Sequence, residues 1–219
     1  MLLNEDSPKY WENAIAYIDE AFTTILKYHL GKDEKLAIFG FAPQPLLVYF
    51  GWKLGEAMNK QVFQRHRDQQ SAWSWPENPA DTGQLSVLAP SVDELSNVSD
   101  VTPLAISFSI SFDIRERVAK GIPAETLHWD VHPENGCCTE YVQSPEKLSE
   151  FRALVHQLLD RVSKVGSKQP IHIFLCMPVS MTLTLGMSIM RKATNDIVLH
   201  DYVKSQDLDV EAITIKICQ

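Results

Sequence analysis

One uncharged stretch constrains this chain more than any other. Leu36 to Trp52, LAIFGFAPQPLLVYFGW, runs seventeen residues without a charge and breaks in its middle at Pro43-Gln44-Pro45. A run this apolar approaches the roughly 20 residues that cross a bilayer, but prolines at mid-span argue against one. A buried strand of about six residues, a tight turn and a helix starting near Pro45 accounts for both prolines, because proline suits the first helical turn. No membrane span is expected.

The stretch returns in altered form. Shifted by 135 positions, Ile171 to Met187 reads IHIFLCMPVSMTLTLGM, so that Phe39 falls on Phe174, Pro43 on Pro178, Gly51 on Gly186 and Leu54 on Ile189. Ser180 stands in the second turn, where it can cap a helix N-terminus. An amphipathic helix precedes each copy. Ser7-Pro8 opens the first, with Trp11, Ile15, Ile18, Phe22, Ile25 and Leu26 on one face and Gly31 as its stop. Ser144-Pro145 opens the second, with Leu148, Phe151, Leu154, Val155, Leu158, Leu159 and Val162 inward and Gly166 at its end. Strand-like Val62 to Arg67 and Ile197 to Tyr202 follow the two copies.

The repeated unit is therefore helix, strand, turn, helix, strand, over residues 7–68 and 144–203. Its period exceeds the roughly 20 to 50 residues of a solenoid. It fits an α/β chain of two duplicated Rossmannoid half-domains, about 1–103 and 104–219, with right-handed crossovers and mainly parallel sheets flanked by helices. Between the units, Pro76 to Thr102 reads as a long surface connection with a short strand at Leu85 to Leu88. Leu104 to Phe112 alternates as a half-buried strand should, Ile114 to Lys120 forms a short helix before Gly121, and Glu125 to Val131 and Val210 to Cys218 are strands.

Charge and motifs narrow the function. A formal charge of -8 disfavours binding to long nucleic acid, so no direct DNA binding is expected, whereas a small anion needs only a few local donors. Four cysteines, Cys137, Cys138, Cys176 and Cys218, lack framework spacing, and Met1 opens no signal peptide, so a reducing cytoplasm is the expected compartment. Neither G-x-G-x-x-G, G-x-x-x-x-G-K-[ST] nor G-x-S-x-G occurs.

In open α/β sheets ligands sit beyond the carboxyl ends of strands, where helix N-termini offer N–H groups and a positive dipole to anions. The turns at Ala42 to Leu46 and Met177 to Met181 are such places, and two copies imply two cradles facing each other across a pseudo-two-fold axis. The alternative is that Pro43 and Pro178 merely end strands. Arg65 and Arg67 follow a strand on one face, as phosphate contacts or as a solvated basic end. Trp73 and Trp75 share one side of an extended segment, to stack on a base or to pack under a loop. His128, Asp130 and His132 alternate near Cys137 and Cys138, but without C-x-x-C or H-E-x-x-H no metal is expected.

The two turn regions, Gln64-Arg65-His66-Arg67 and Trp73-Ser74-Trp75 together resemble the SAVED family of bacterial antiphage signalling, over nearly the whole chain. The strongest pieces are Leu36 to Arg67 with Trp73 and Trp75, and Ile171 to Tyr202. SAVED domains are regarded as two fused CARF-like halves. The resemblance implies a non-catalytic sensor in CBASS defence. Its ligand would be a cyclic oligonucleotide made by a CD-NTase, a cyclic dinucleotide such as cGAMP or a cyclic trinucleotide, with the dinucleotide favoured and no cofactor. It further implies an effector fused or in trans, such as an HNH or other nuclease, a TIR domain or a protease, activated as ligand drives self-association. A helix within ten residues of Met1 leaves no room for an effector ahead of it, so an excised or stand-alone sensor is expected. On this reading Pro43, Gln44, Pro45, Met177, Pro178, Val179 and Ser180 hold phosphate or ribose, with Gln44 and Ser180 on opposite sides of the ligand. Arg65, Arg67 and Lys204 add charge, and Trp73, Trp75 and Tyr202 stack on bases. The rival is a ring nuclease that degrades the messenger with His66 or His200 as base.

Overall fold

The computed structural model describes residues 9–26, 35–55, 60–66, 72–190 and 195–217. Along the chain these form α1 (Tyr10–Ala21, continued by one π turn), β1 (Leu36–Phe39), α2 (Gln44–Leu54), β2 (Lys60–Phe63), β3 (Leu85–Leu88) and α3 (Val92–Ser96). There follow β4 (Leu104–Ser109), α4 (Arg115–Gly121), β5 (Leu127–Pro133), α5 (Pro145–Ser163), β6 (Ile171–Cys176), α6 (Val179–Ser188), β7 (Ile197–Val203) and β8 (Leu208–Ile215). Ser7, Pro8, Gly31, Arg67 and Cys218 lie outside the described residues.

Two stretches of the chain show the same order of elements. In the first unit α1, β1, α2 and β2 follow one another, and β1 pairs with β2 in parallel, Leu36 opposite Lys60. In the second, α5, β6, α6 and β7 do the same, with Ile171 opposite Ile197. Both strand-to-helix turns put a proline at the N-cap, Pro43 at φ -50° and Pro178 at φ -57°, which suits proline's locked φ.

The halves are unequal. The first has a two-stranded sheet and the second a six-stranded one, ordered β3-β5-β4-β6-β7-β8, with antiparallel pairs at both edges. β3, which falls in 1–103, pairs with β5 in the larger sheet. The stretch 76–102 also holds α3, whose Ser91 and Glu94 form a reciprocal capping box, a pattern legible in S-x-x-E.

β4 departs from the half-buried strand its alternation predicts, being buried at every residue. Leu104, Ile106 and Phe108 face α5 and α6 in the main core. The other face carries a polar network instead: Ser107 and Ser109 donate to Asp130 Oδ1 at 2.5 and 2.6 Å, and His132 Nδ1 lies 3.0 Å from Asp130 Oδ2. Three groups so arranged satisfy a buried carboxylate, and His128 Nε2 lies 2.8 Å from the Ser107 hydroxyl. Asp130→Ala takes the acceptor from the buried Ser109 hydroxyl and one of two partners from that of Ser107, and should cost about 3 kcal/mol in urea unfolding.

Helix α6 carries no charge and α2 only Lys53, in its last turn, because the two helices are buried against each other. α6 is buried from Ser180 to Ser188, and the Thr182, Thr184 and Ser188 hydroxyls each donate to the carbonyl four residues back, so these three buried hydroxyls are satisfied within the helix. Among the described residues no helix is long and apolar enough to cross a membrane.

Candidate functional site

α2 and α6 run in the same direction and touch at their glycines. A Cβ on Gly186 would stand 2.0 Å from the Val48 carbonyl oxygen, and one on Gly51 would stand 2.4 Å from that of Leu183. The two glycines correspond under the 135-residue offset, and at them the two helices meet backbone to backbone. Both helices begin just beyond the carboxyl end of a strand and present their N-termini at the same end of the molecule. Side-by-side parallel dipoles place two partial positive charges there, which an anion stabilises.

The two turns abut. Gln44 Nε2 donates to the Met177 carbonyl at 3.1 Å, and the Thr182 hydroxyl donates to Gln44 Oε1 at 3.5 Å. From the end of β2, Gln64 Oε1 accepts from the Ser180 hydroxyl at 2.6 Å and from the Ser180 N–H at 3.3 Å. Gln44 and Gln64 thus brace the second turn from two sides along the seam between the turns, Gln44 at Met177 and Thr182 and Gln64 at Ser180. Ser180 is fully buried and its donors are taken up by Gln64. Proline supplies no N–H at 43, 45 or 178, and Leu46 N–H bonds the Pro43 carbonyl at 3.1 Å. The N–H groups of Gln44 and Val179 take no part in this bracing and are the first-turn donors nearest the shared end.

Beside the seam lies an aromatic rim built on the β1 and β2 ends. Phe39 stacks on Phe63 with centroids 4.7 Å apart, Trp73 meets Phe39 edge-on at 5.3 Å, and Trp75 stacks on Phe63 at 6.5 Å. Phe39 and Phe41 are 53% and 73% exposed, large apolar area in water next to two helix N-termini. Arg65 is exposed with its guanidinium 4.6 Å from the Phe41 ring centroid, a cation–π contact that holds the charge two residues ahead of Pro43. The structure thus brings Pro43, Gln44, Pro45, Arg65, Trp73, Trp75, Met177, Pro178, Val179 and Ser180 into one region. Phe39, Phe41 and Gln64 belong with them; only exposure and a long-range bond mark them out, and neither has a local sequence signal. Arg67 lies outside the described residues.

Tyr202 and Lys204 are placed elsewhere, toward the β7–β8 hairpin. Tyr202 donates to Asp207 Oδ1 at 2.7 Å, and the Arg117 guanidinium lies 3.8 Å over its ring. Arg117 lines a cavity of about 700 Å³ on the α4 face of the larger sheet, the face opposite α5 and α6. The two histidines considered as bases are both buried. His66 is 2% exposed with Nδ1 2.9 Å from Glu140 Oε2, and His200 lies in the cavity wall, where burial and neighbouring His172 push its pKa down to about 4.

The class that this fold defines is a mixed α/β domain in which two strand–turn–helix units present their helix N-termini at one end. The family model described as the SMODS-associated and fused to various effectors sensor domain, SAVED, matches residues 18–215, and the chain belongs to that family. Among solved structures, an Acinetobacter baumannii Cap4 SAVED/CARF-domain receptor with the cyclic trinucleotide 2'3'3'-cAAA superposes with a TM-score of 0.64 at 13% identity, covering 97% of this chain and 45% of that one. The same receptor with 3'3'3'-cAAA gives 0.65 at 13% identity, covering 96% and 44%. The Cap4 SAVED/CARF receptor of Moraxella osloensis gives 0.59 at 12%, covering 97% and 43%. The chain thus spans less than half the length of these receptors, and at such identities the likeness is one of fold. No curated protein matches it in sequence.

Proposed function

We propose that the chain is a sensor that binds a cyclic oligonucleotide, a cyclic dinucleotide or a cyclic trinucleotide, over the shared N-terminal end of α2 and α6. In CBASS defence it would pass that signal to an effector, fused or in trans, by ligand-driven self-association. The observation that carries this reading is the Gly51–Gly186 contact, which sets two helix N-termini side by side where phosphates are stabilised. Membership of the SAVED sensor family and a fold shared with receptors that hold cyclic trinucleotides support it. In this arrangement the Gln44 and Val179 N–H groups meet phosphate, Arg65 adds charge, and Phe41 or Trp73 offers a face to a base. Gln44 and Gln64 brace the seam, and Ser180 acts through Gln64 rather than by direct contact.

Calorimetric titration with a panel of cyclic di- and trinucleotides tests the binding. One member should saturate the chain and remain intact on long incubation. Absence of saturable binding across the panel removes the proposal, and linear product would favour messenger degradation.

A further inference from the structure

On the opposite side of the larger sheet, three adjacent strands converge on the 700 Å³ cavity with a second set of chemically active side chains. His172 comes from β6, His200 from β7 and Glu211 from β8. Strand alternation turns His172 and His200 to the α4 face, because Ile171, Ile173 and Leu199 point into the main core. Glu211 reaches that face through a local irregularity. Leu199 pairs with Ile213 but His200 pairs with Glu211, a β-bulge that skips Ala212 and re-aims the carboxylate at His200.

The resulting cluster is compact. One donor atom from each of the three residues lies within 4.8 Å of the others. His172 Nδ1 and His200 Nε2 are 2.8 Å apart, and Phe174 stacks on the His200 ring at 4.3 Å and fixes its orientation. At 2.8 Å one proton lies between the two rings, and on the far side of His200 its Nδ1 is a buried polar atom without a hydrogen bond. Such an atom costs stability.

The surroundings favour a cation. The cavity wall carries five carboxylates against two basic side chains, Arg117 and Lys120. Arg117 bonds Asp209 at 2.9 and 3.1 Å, Lys120 bonds Glu116 at 2.7 Å and Arg115 pairs with Asp113, so of the five carboxylates it is Glu211 that faces the two rings. A compact acidic site with two imidazole ligands suits a borderline divalent ion better than magnesium or calcium, which take oxygen.

We infer that His172, His200 and Glu211 form a binding site for a zinc-class divalent transition metal, with at least one coordination position open to the cavity. The ion takes the place of the proton between the two rings, and that proton moves to the far nitrogen of the ring that carried it, so each imidazole coordinates as a neutral ligand. For tetrahedral Zn–N bonds of about 2.0–2.1 Å the nitrogens must part from 2.8 Å to about 3.3 Å, a small rotation of the His172 ring. Two histidines and one glutamate complete three protein ligands, and the fourth position faces solvent, where water or an anionic group can coordinate. The site shares no residue with the α2–α6 seam and stands independently of the cyclic-oligonucleotide proposal.

The test titrates the untagged, metal-stripped chain with Co²⁺, followed by visible absorption, and with Zn²⁺ by calorimetry. One equivalent should bind, and Co²⁺ should develop ligand-field bands of low coordination number. Glu211→Gln, an exposed change, and His172→Gln should each weaken binding at least about tenfold with the circular dichroism spectrum retained. A Cys137→Ser, Cys138→Ser double variant should bind like the parent chain. Lack of saturable one-to-one binding overturns the inference. So does affinity undiminished in both the Glu211 and His172 variants, or loss of the signal with the cysteines.

Discussion

Gly186→Val is expected to destabilise the domain by about 3 kcal/mol or more and to abolish ligand response with it. The added Cβ would meet the Val48 carbonyl oxygen at 2.0 Å and Val48 C and Trp52 N at 2.9 Å, all backbone. Overpacking a core usually costs about 1–3 kcal/mol because side chains can rotate aside. Here nothing can rotate; α2 and α6 must separate, and the seam from Gln44 to Met177 and from Gln64 to Ser180 opens with them. Gly51→Val, with a Cβ 2.4 Å from the Leu183 carbonyl oxygen, should behave alike. Gly121→Ala is the control: its Cβ meets nothing within 4 Å, and its stability should be unchanged or slightly raised. Urea midpoints at constant m value report the difference. A loss below about 1 kcal/mol for Gly186→Val would show that the helices slide freely, and the shared N-terminal end would lose its physical basis.

Arg65→Glu is expected to lower affinity for the cyclic oligonucleotide at least tenfold while leaving the fold intact. Arg65 is exposed and its contact with Phe41 is a surface one, so stability should change by less than about 0.5 kcal/mol. A hydrogen-bonded charge pair with phosphate contributes about 1.5–3 kcal/mol, which is a factor of about 10 to 100, and reversing the sign adds repulsion. Calorimetry at two salt concentrations separates this from a folding defect, because the variant's affinity should also depend less on salt. Equal affinity and equal salt dependence in parent and variant would move the ligand away from the β2 end.

Much of this was legible before any coordinates. Proline, glycine and hydrophobic spacing are local signals, so two copies of strand, turn and helix could be aligned residue by residue from Leu36 and Ile171. The same holds for β3 and for the inward face of α5, where Leu148, Phe151, Val155, Leu158, Leu159 and Val162 are buried as the periodicity predicts and Leu154 is half-buried. β4 misled, since its serines alternate like solvent-facing residues. Their hydroxyls are instead matched to Asp130, twenty-one and twenty-three residues away.

What the sequence by itself determined is the repeated unit, its proline turns and the family they resemble, because each rests on residues close together in the chain. Only the tertiary structure decided how the copies meet. Gly51 and Gly186 could be aligned, but nothing local says that they touch, or that Gln44 and Gln64 reach across 133 and 116 residues to brace the second turn. The bulge that turns Glu211 toward His200 is likewise invisible in the sequence, since the offset belongs to the pairing of β7 with β8 and not to either strand alone.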